Sequence, residues 1–154
     1  MVAAGVAAVL LVGGVAGCAP GPTTRQGGQA SYGGASASAS PSPVATFAAH
    51  GTADQNLRIF AATIAQVWAS ADKEHGRAYV DALAAAGFDK RAMQVTNDTS
   101  TVGNPAESIE FSVRWGDECL VGQVGPAIGG PVASVLPVLG GGACLLGRTR
   151  PIDW

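Results

Sequence analysis

The segment Ile109-Glu-Phe-Ser-Val-Arg-Trp115 decides the fold. Ile109, Phe111, Val113 and Trp115 alternate with Glu110, Ser112 and Arg114. Since successive side chains of a strand point to opposite faces, this period of two specifies a strand with one face buried and one polar, the signature of an antiparallel sheet. Gly116-Asp117 supplies a two-residue turn into a second strand over Cys119 to Val124. Downstream, Val132 to Leu139 reads as a further strand. Pro137 confines it to an edge or a bulge, because proline has no N–H to give to a ladder. Gly140-Gly-Gly142 is a turn, after which Cys144 to Thr149 is expected to form a last strand. Upstream, Met93-Gln-Val-Thr96 is a short first strand, separated from the central one by the polar loop Asn97 to Ala106.

Before the strands the period changes. Leu57, Phe60, Ile64, Val67 and Trp68 recur at spacings of three and four, which predicts an amphipathic helix over 54–69 with Asp54 as N-cap and a polar face from Gln55 to Gln66. A second helix over 74–86 places Tyr79, Val80, Leu83 and Ala86 on one side. Gly87 stands at the C′ position that favours a left-handed backbone, and Phe88 packs back. The short turn Ser70-Ala-Asp-Lys-Glu74 makes the two a hairpin. Two helices followed by strands give an α+β fold of two layers, an N-terminal helix hairpin packed on a small antiparallel sheet.

Composition divides the chain into three: 1–17, 18–49 and a single globular domain at 50–154. Val2 to Ala16 is an uncharged apolar run, shorter than the ~20 residues of a spanning helix and matched to the core of an export signal. It ends Val15-Ala16-Gly17-Cys18, which resembles the bacterial lipobox. That resemblance implies cleavage between Gly17 and Cys18 and lipidation of Cys18. An ordinary cleaved signal beside an incidental cysteine is the alternative. Export signals ordinarily begin with Lys or Arg, and none precedes the run here, so a translation start upstream of Met1 is expected. Residues 19–49 are rich in Gly, Ala, Ser, Pro and Thr, with Tyr32 and Phe47 as their large side chains. They have too little apolar surface to offset ordering entropy and read as a tether with a reach of about 30 Å. Its Ser/Thr/Pro content permits O-glycosylation. These features place the chain outside the cytoplasm, lipid-anchored to the outer face of the cytoplasmic membrane.

The formal net charge is −2, and the nine basic residues are scattered, so no stripe for a nucleic acid is present. Cys119 and Cys144 remain once Cys18 is assigned to lipid. In an exported chain they form one disulfide, closing a loop of about 26 residues for roughly 3.5 kcal/mol. A reactive or metal-binding pair is the other reading, and no His lies at ligand spacing to either thiol. No nucleophile elbow, zinc-protease helix or P-loop occurs. Ser70-Ala-Asp-Lys73 spells S-x-x-K in a polar turn, where chance accounts for it. His50 and His75 read as solvent-exposed, Asp117 and Glu118 as solvated turn carboxylates, and Asn97-Asp-Thr99 as an incidental sequon. Trp154 is expected to dock on the core by its ring. The outward residues Glu110 and Arg114, with Gln123 and Arg148 expected across the sheet, are either a recognition face or a cross-strand charge pattern worth tenths of a kcal/mol.

Three stretches carry a resemblance: Ala78-Tyr-Val-Asp-Ala-Leu-Ala-Ala-Ala-Gly-Phe-Asp89 with Met93-Gln-Val-Thr96, Gly116-Asp-Glu-Cys-Leu-Val-Gly-Gln-Val-Gly125, and Arg150-Pro-Ile-Asp-Trp154. Together they make residues 54–154 similar to actinobacterial envelope lipoproteins with a C-terminal domain of unknown function. The resemblance implies a secreted, lipid-anchored domain with paired cysteines and brings no catalytic residues. The reading is therefore a non-enzymatic interaction module with an envelope-protein or cell-wall partner and no cofactor, metal or catalytic residue. A small-ligand-binding lipoprotein is the alternative, on the Gly-rich loops at 125–130 and 140–142.

Overall fold

The computed structural model describes residues 44–154. The export signal, Gly17, Cys18 and most of the tether lie outside the described residues. Helices α1 (Ala53–Trp68) and α2 (Gly76–Ala85) precede strands β1 (Met93–Val95), β2 (Ile109–Trp115), β3 (Glu118–Val124) and β4 (Val132–Pro137). The sheet is a meander in the order β1-β2-β3-β4, every neighbour antiparallel. The α+β arrangement read from the sequence is the observed one. The Gly116-Asp117 turn sets Trp115 opposite Glu118 and thereby fixes which face each residue takes.

The N-cap of α1 is Thr52, two residues before Asp54. Its side chain accepts from the Gln55 N–H at 3.2 Å and Gln55 Oε1 accepts from the Thr52 N–H at 2.8 Å, a reciprocal capping box. Asp54 sits in the first turn, where a carboxylate favours the positive end of the helix. Asn56, assigned to the polar face by periodicity, is buried instead. Its amide pairs with both main-chain groups of Ala48, each at 2.9 Å. That clamp holds the last tether residues on the domain. Phe47 lies 5.0 Å from the Phe88 ring and 5.9 Å from Trp115, and the Trp115 indole donates to the Gly51 carbonyl. The folded part thus begins before residue 50, because one aromatic ring is surface enough to dock a short segment.

Helix α2 is shorter than its pattern: Glu74 stays in the turn, His75 is the N-cap and makes no side-chain cap, and Ala86 is the C-cap. At its other end Gly87 has φ +111°. Its N–H reaches the Ala84 carbonyl and that of Phe88 the Leu83 carbonyl, the Schellman closure the sequence promised. Both helices pack on one face of the sheet. Phe60, Ile64, Tyr79, Val80, Leu83, Val95, Phe111, Val113, Leu120 and Val124 form the core, with Tyr79 stacked on Phe111 at 4.6 Å.

The largest departure from expectation is Cys144 to Thr149, which forms no strand. The cause is the Gly140–Gly142 turn, where φ of +76° and +81° at Gly141 and Gly142 swings the chain out of the sheet plane. Residues 138–154 then run as a belt across the face away from the helices. Gln94 Oε1 accepts the N–H groups of Cys144 and Leu145 at 2.7 and 3.2 Å, replacing the ladder bonds a fifth strand would have made. Cys119 points to that same face, since it stands opposite Arg114, and it is bonded to Cys144 with Cα atoms 5.6 Å apart. The belt passes the β1 edge through a Thr96–Thr149 bridge and an Arg150 N–H to Val95 carbonyl bond of 2.9 Å. It ends with Trp154 against the helix layer, its indole donating to Asp81 Oδ1 at 2.9 Å. The docking expected of Trp154 is met.

Candidate recognition cleft

At one end of the domain, three loops and a helix terminus leave a cleft of about 730 Å³. Trp68, the last residue of α1, and Lys73, Glu74 and His75 of the interhelical turn form one wall. Asp98, Thr99, Pro105 and Ala106 of the β1–β2 loop form the second, Gly125, Pro126 and Gly129 of the β3–β4 loop the third, with Ile109 at the base. The lining is mainly apolar with a few polar groups, the usual make-up of a binding site of this volume.

Each wall is braced by long-range contacts. The buried Tyr79 hydroxyl donates to the Lys73 carbonyl at 2.8 Å, and burial pushes its pKa up to about 12. Lys73 lies over the Trp68 ring with Nζ 5.5 Å from its centroid. Asp98 joins the loop to both helix and belt. Its Oδ1 accepts the Gly76 N–H at 2.8 Å, capping α2 in place of His75, and Arg150 Nη2 approaches its Oδ2 at 3.1 Å. The Ala106 N–H bonds back to the Asp98 carbonyl at 2.9 Å, which closes the loop on itself.

The four residues singled out as a recognition face do not form one site. Glu110 stands directly opposite Gln123, as expected. Arg148 is on the belt, exposed, and meets Glu110 across a separate polar groove of about 630 Å³ on the far side of the β1–β2 loop. Arg114 is opposite Cys119 toward the other end of β2, where its Nε donates to the Gly116 carbonyl at 3.1 Å. The belt covers the middle of this face and buries Ser112.

The cleft residues that sequence reasoning passed over are Trp68, counted as core stripe, His75, counted as solvent-exposed, and Asp98, seen as part of a sequon. The Gly-rich loop at 125–130 was the one local signal, and it does line the cleft. The Ser70 hydroxyl donates to the Val67 carbonyl at 2.7 Å and accepts from the Asp72 N–H, so it serves the turn rather than Lys73. Among the described residues no three His, Cys, Asp or Glu side chains converge on a common point, and no helix is long and apolar enough to cross a membrane.

Residues 64–148, more than half the chain, match the model of a domain of unknown function, DUF6993. The chain belongs to the DUF6993 family. No curated protein and no solved structure is detectably similar to it. The match begins inside α1 and stops at Arg148, so it contains both disulfide cysteines and every residue that lines the cleft while excluding Thr52, Phe60 and the Arg150–Trp154 end. In this chain the DUF6993 domain is completed by residues from outside the matched span: Phe60 in the core and Arg150 on Asp98.

Proposed function

We propose that this protein is a lipid-anchored cell-envelope lipoprotein of actinobacterial type, held by Cys18 at the outer face of the cytoplasmic membrane. Its DUF6993 domain acts as a non-enzymatic interaction module whose cleft receives an envelope-protein or cell-wall partner. The observation that carries the reading is where the cleft lies. Phe47 and Ala48, through which the tether joins the domain, pack at the start of α1 and the end of β2. The cleft is built from the end of α1 and the start of β2. With 16 residues, α1 separates the two ends by about 24 Å. A domain tethered at one end presents its concave surface at the other.

A photo-crosslinking residue at exposed Thr99 on the cleft rim, in whole cells, should give a discrete adduct that the same residue at Arg91 does not. Equal or absent adducts would remove the cleft from the function. Cys18→Ser should move the protein out of the membrane fraction, and retention there would remove the anchor. The second reading, a small-ligand-binding lipoprotein, is favoured by the cleft volume, which falls within the ~300–1,000 Å³ of small-molecule sites. A ligand retained through purification and lost on Ile109→Trp would favour it over a protein partner.

A further inference from the structure

Two grooves on the outer face of the sheet share a border. The polar groove of about 630 Å³ beside the β1–β2 loop and a second groove of about 390 Å³ along β3 are both lined by Glu110 and Leu146, so they form one trough. The second part runs between β4 and the belt, lined by Val121 of β3, Leu136 and Pro137 of β4, and Leu139, Cys144 and Leu145 of the belt. Gln123, opposite Glu110, marks its near end, and Leu136, opposite Cys119, its far end. At ~3.3 Å per residue, Gln123 and Cys119 are about 13 Å apart along β3.

The two parts differ in what they offer a ligand. Around the polar part stand the Asn97 amide, the Ser100, Thr101 and Ser108 hydroxyls, the Glu110 carboxylate and the Arg148 guanidinium. Among the described residues none of these side-chain groups has a hydrogen-bond or ion-pair partner, so all can bond outward. The apolar part has Glu110 and Gln123 at its near end and no hydrogen-bonding side chain beyond them. Leu136 is 46% exposed and Leu146 78%, so two of the large apolar side chains that the domain leaves in water stand on this slot. One exposed leucine needs no explanation, whereas two along one slot mark apolar surface with a shape.

We propose that the trough binds an amphiphile of glycolipid type, with an uncharged sugar head group between Glu110 and Arg148 and one hydrocarbon chain running along β3 toward Leu136. The head group follows from the charges. A carboxylate accepts and a guanidinium donates, and sugar hydroxyls can answer both. A phosphate or carboxylate head would meet Glu110 as a like charge, and an ammonium head would meet Arg148. The chain follows from the slot. A peptide laid there would bring a main-chain N–H and C=O every ~3.3 Å against a lining with no partner beyond its near end, a cost that hydrocarbon does not carry. Head and chain join where the two parts of the trough join, at Glu110 and Leu146. The trough lies across the β1–β2 loop from the cleft, and its occupant does not depend on what the cleft binds.

The test mixes the purified full-length chain with phosphatidylcholine vesicles carrying a trace of an alkyl maltoside that bears a photoreactive group at its chain end. Labelling should fall on Leu136 to Leu139 and exceed by about 10-fold that on Val132, which is on the same strand and as exposed, at 50%, but does not line the trough. Unlabelled dodecyl maltoside should abolish the labelling, with maltose and dodecanol each at least about 10-fold weaker as competitors. Dodecylphosphocholine, whose head group is charged, should compete no better than dodecanol. Arg148→Ala or Glu110→Gln should weaken competition by dodecyl maltoside about 10-fold and leave that by dodecanol unchanged. Neither side-chain group bonds within the domain, so both variants keep the fold. Equal labelling of Val132, maltose, dodecanol or dodecylphosphocholine competing as well as the maltoside, or variants that behave like wild type would each overturn the proposal.

Discussion

The two faces of this sheet are held by different physics. The inner face is close-packed, with Phe60, Tyr79, Leu83, Phe111, Val113 and Leu120 each at most 1% exposed and aromatic rings meeting at 4.6–6.2 Å. Among the described residues no layer of secondary structure lies over the outer face. A glycine-turned belt crosses it, fixed by one disulfide, one glutamine side chain and an ion pair at Asp98. The inner face rests on buried area, which is distributed over many residues; the outer face rests on a few bonds between residues far apart in sequence. Loss of one residue should therefore act globally on the first and locally on the second.

The severest test of that contrast is Phe111→Ala. Phe111 is 1% exposed, stacks on Tyr79 and lies near Phe60, so truncation leaves a void that fixed neighbours cannot fill. We expect a loss of about 4 kcal/mol, read as a lowered urea midpoint with all probes moving together. Cys119→Ala with Cys144→Ala should cost about 3.5 kcal/mol and leave the inner face folded. In that variant amide exchange should quicken across residues 138–149 before it does in α1 or β2. If instead the whole domain melts at once with the loss of native far-ultraviolet signal, the belt is part of the core and the division is false.

Asp98→Ala comes next, at about 2 kcal/mol, because it strips the N-terminal cap from α2 and leaves a half-buried Arg150 without its carboxylate. Its sharper readout is the cleft, whose second wall Asp98 holds to the first. Adducts from Thr99 in the variant should fall further than the stability loss explains. If they fall no further, Asp98 is a cap and nothing more.

The same contrast explains what the sequence disclosed. The inner face is written in periods: two along Ile109–Trp115, three and four along Leu57–Trp68, and Gly87-Phe88 to close α2. Periodicity is a local consequence of burial on one side, so these elements were legible in type and order. The belt is written in single residues. Gln94 and Cys144 are 50 positions apart, and Asp98 and Arg150 are 52. Cys144 to Thr149 looks like a strand because its Leu pair is apolar, yet Leu145 alone is buried against the back of the sheet while Leu146 stays exposed, and the glycines at 140–142 decide the direction. The cleft was hardly legible for a related reason: its walls come from three loops whose side chains carry no shared pattern. Glu110, Arg114, Gln123 and Arg148 were grouped by assuming a bare polar face, an assumption the belt removes.

The smallest effects are those of pH, and they fall on opposite sides of the scale for the two regions. Tyr79 belongs to the inner face. Burial raises its pKa from 10.0 to about 12, favouring the neutral phenol in the fold. Its contribution is complete below pH 10 and is lost as the pH climbs toward 12, so the urea midpoint should fall across that interval, and less so in Tyr79→Phe. Asp81, on α2, holds the end of the belt through the Trp154 indole. Burial pushes its carboxyl up, but hydrogen bonds from Lys90, Trp154 and Arg77 outweigh that and hold its pKa below the usual carboxylate range. A depressed carboxylate contributes above its unfolded pKa and ceases to as the pH drops through the folded one. The Asp81 side chain is 44% exposed, so water screens the effect to about 0.5 kcal/mol. Around the Trp154 ring Lys90, Arg77 and Arg150 stand at 5.0, 5.2 and 5.2 Å, all cations that Asp81 helps to balance. Acidification should therefore loosen Trp154 first: its fluorescence, taken as the difference from Trp154→Phe, should shift at a pH where the inner-face signal is unchanged. Coincident shifts would mean that the belt's end and the core titrate as one unit, and the two faces would then have to be treated as a single cooperative structure.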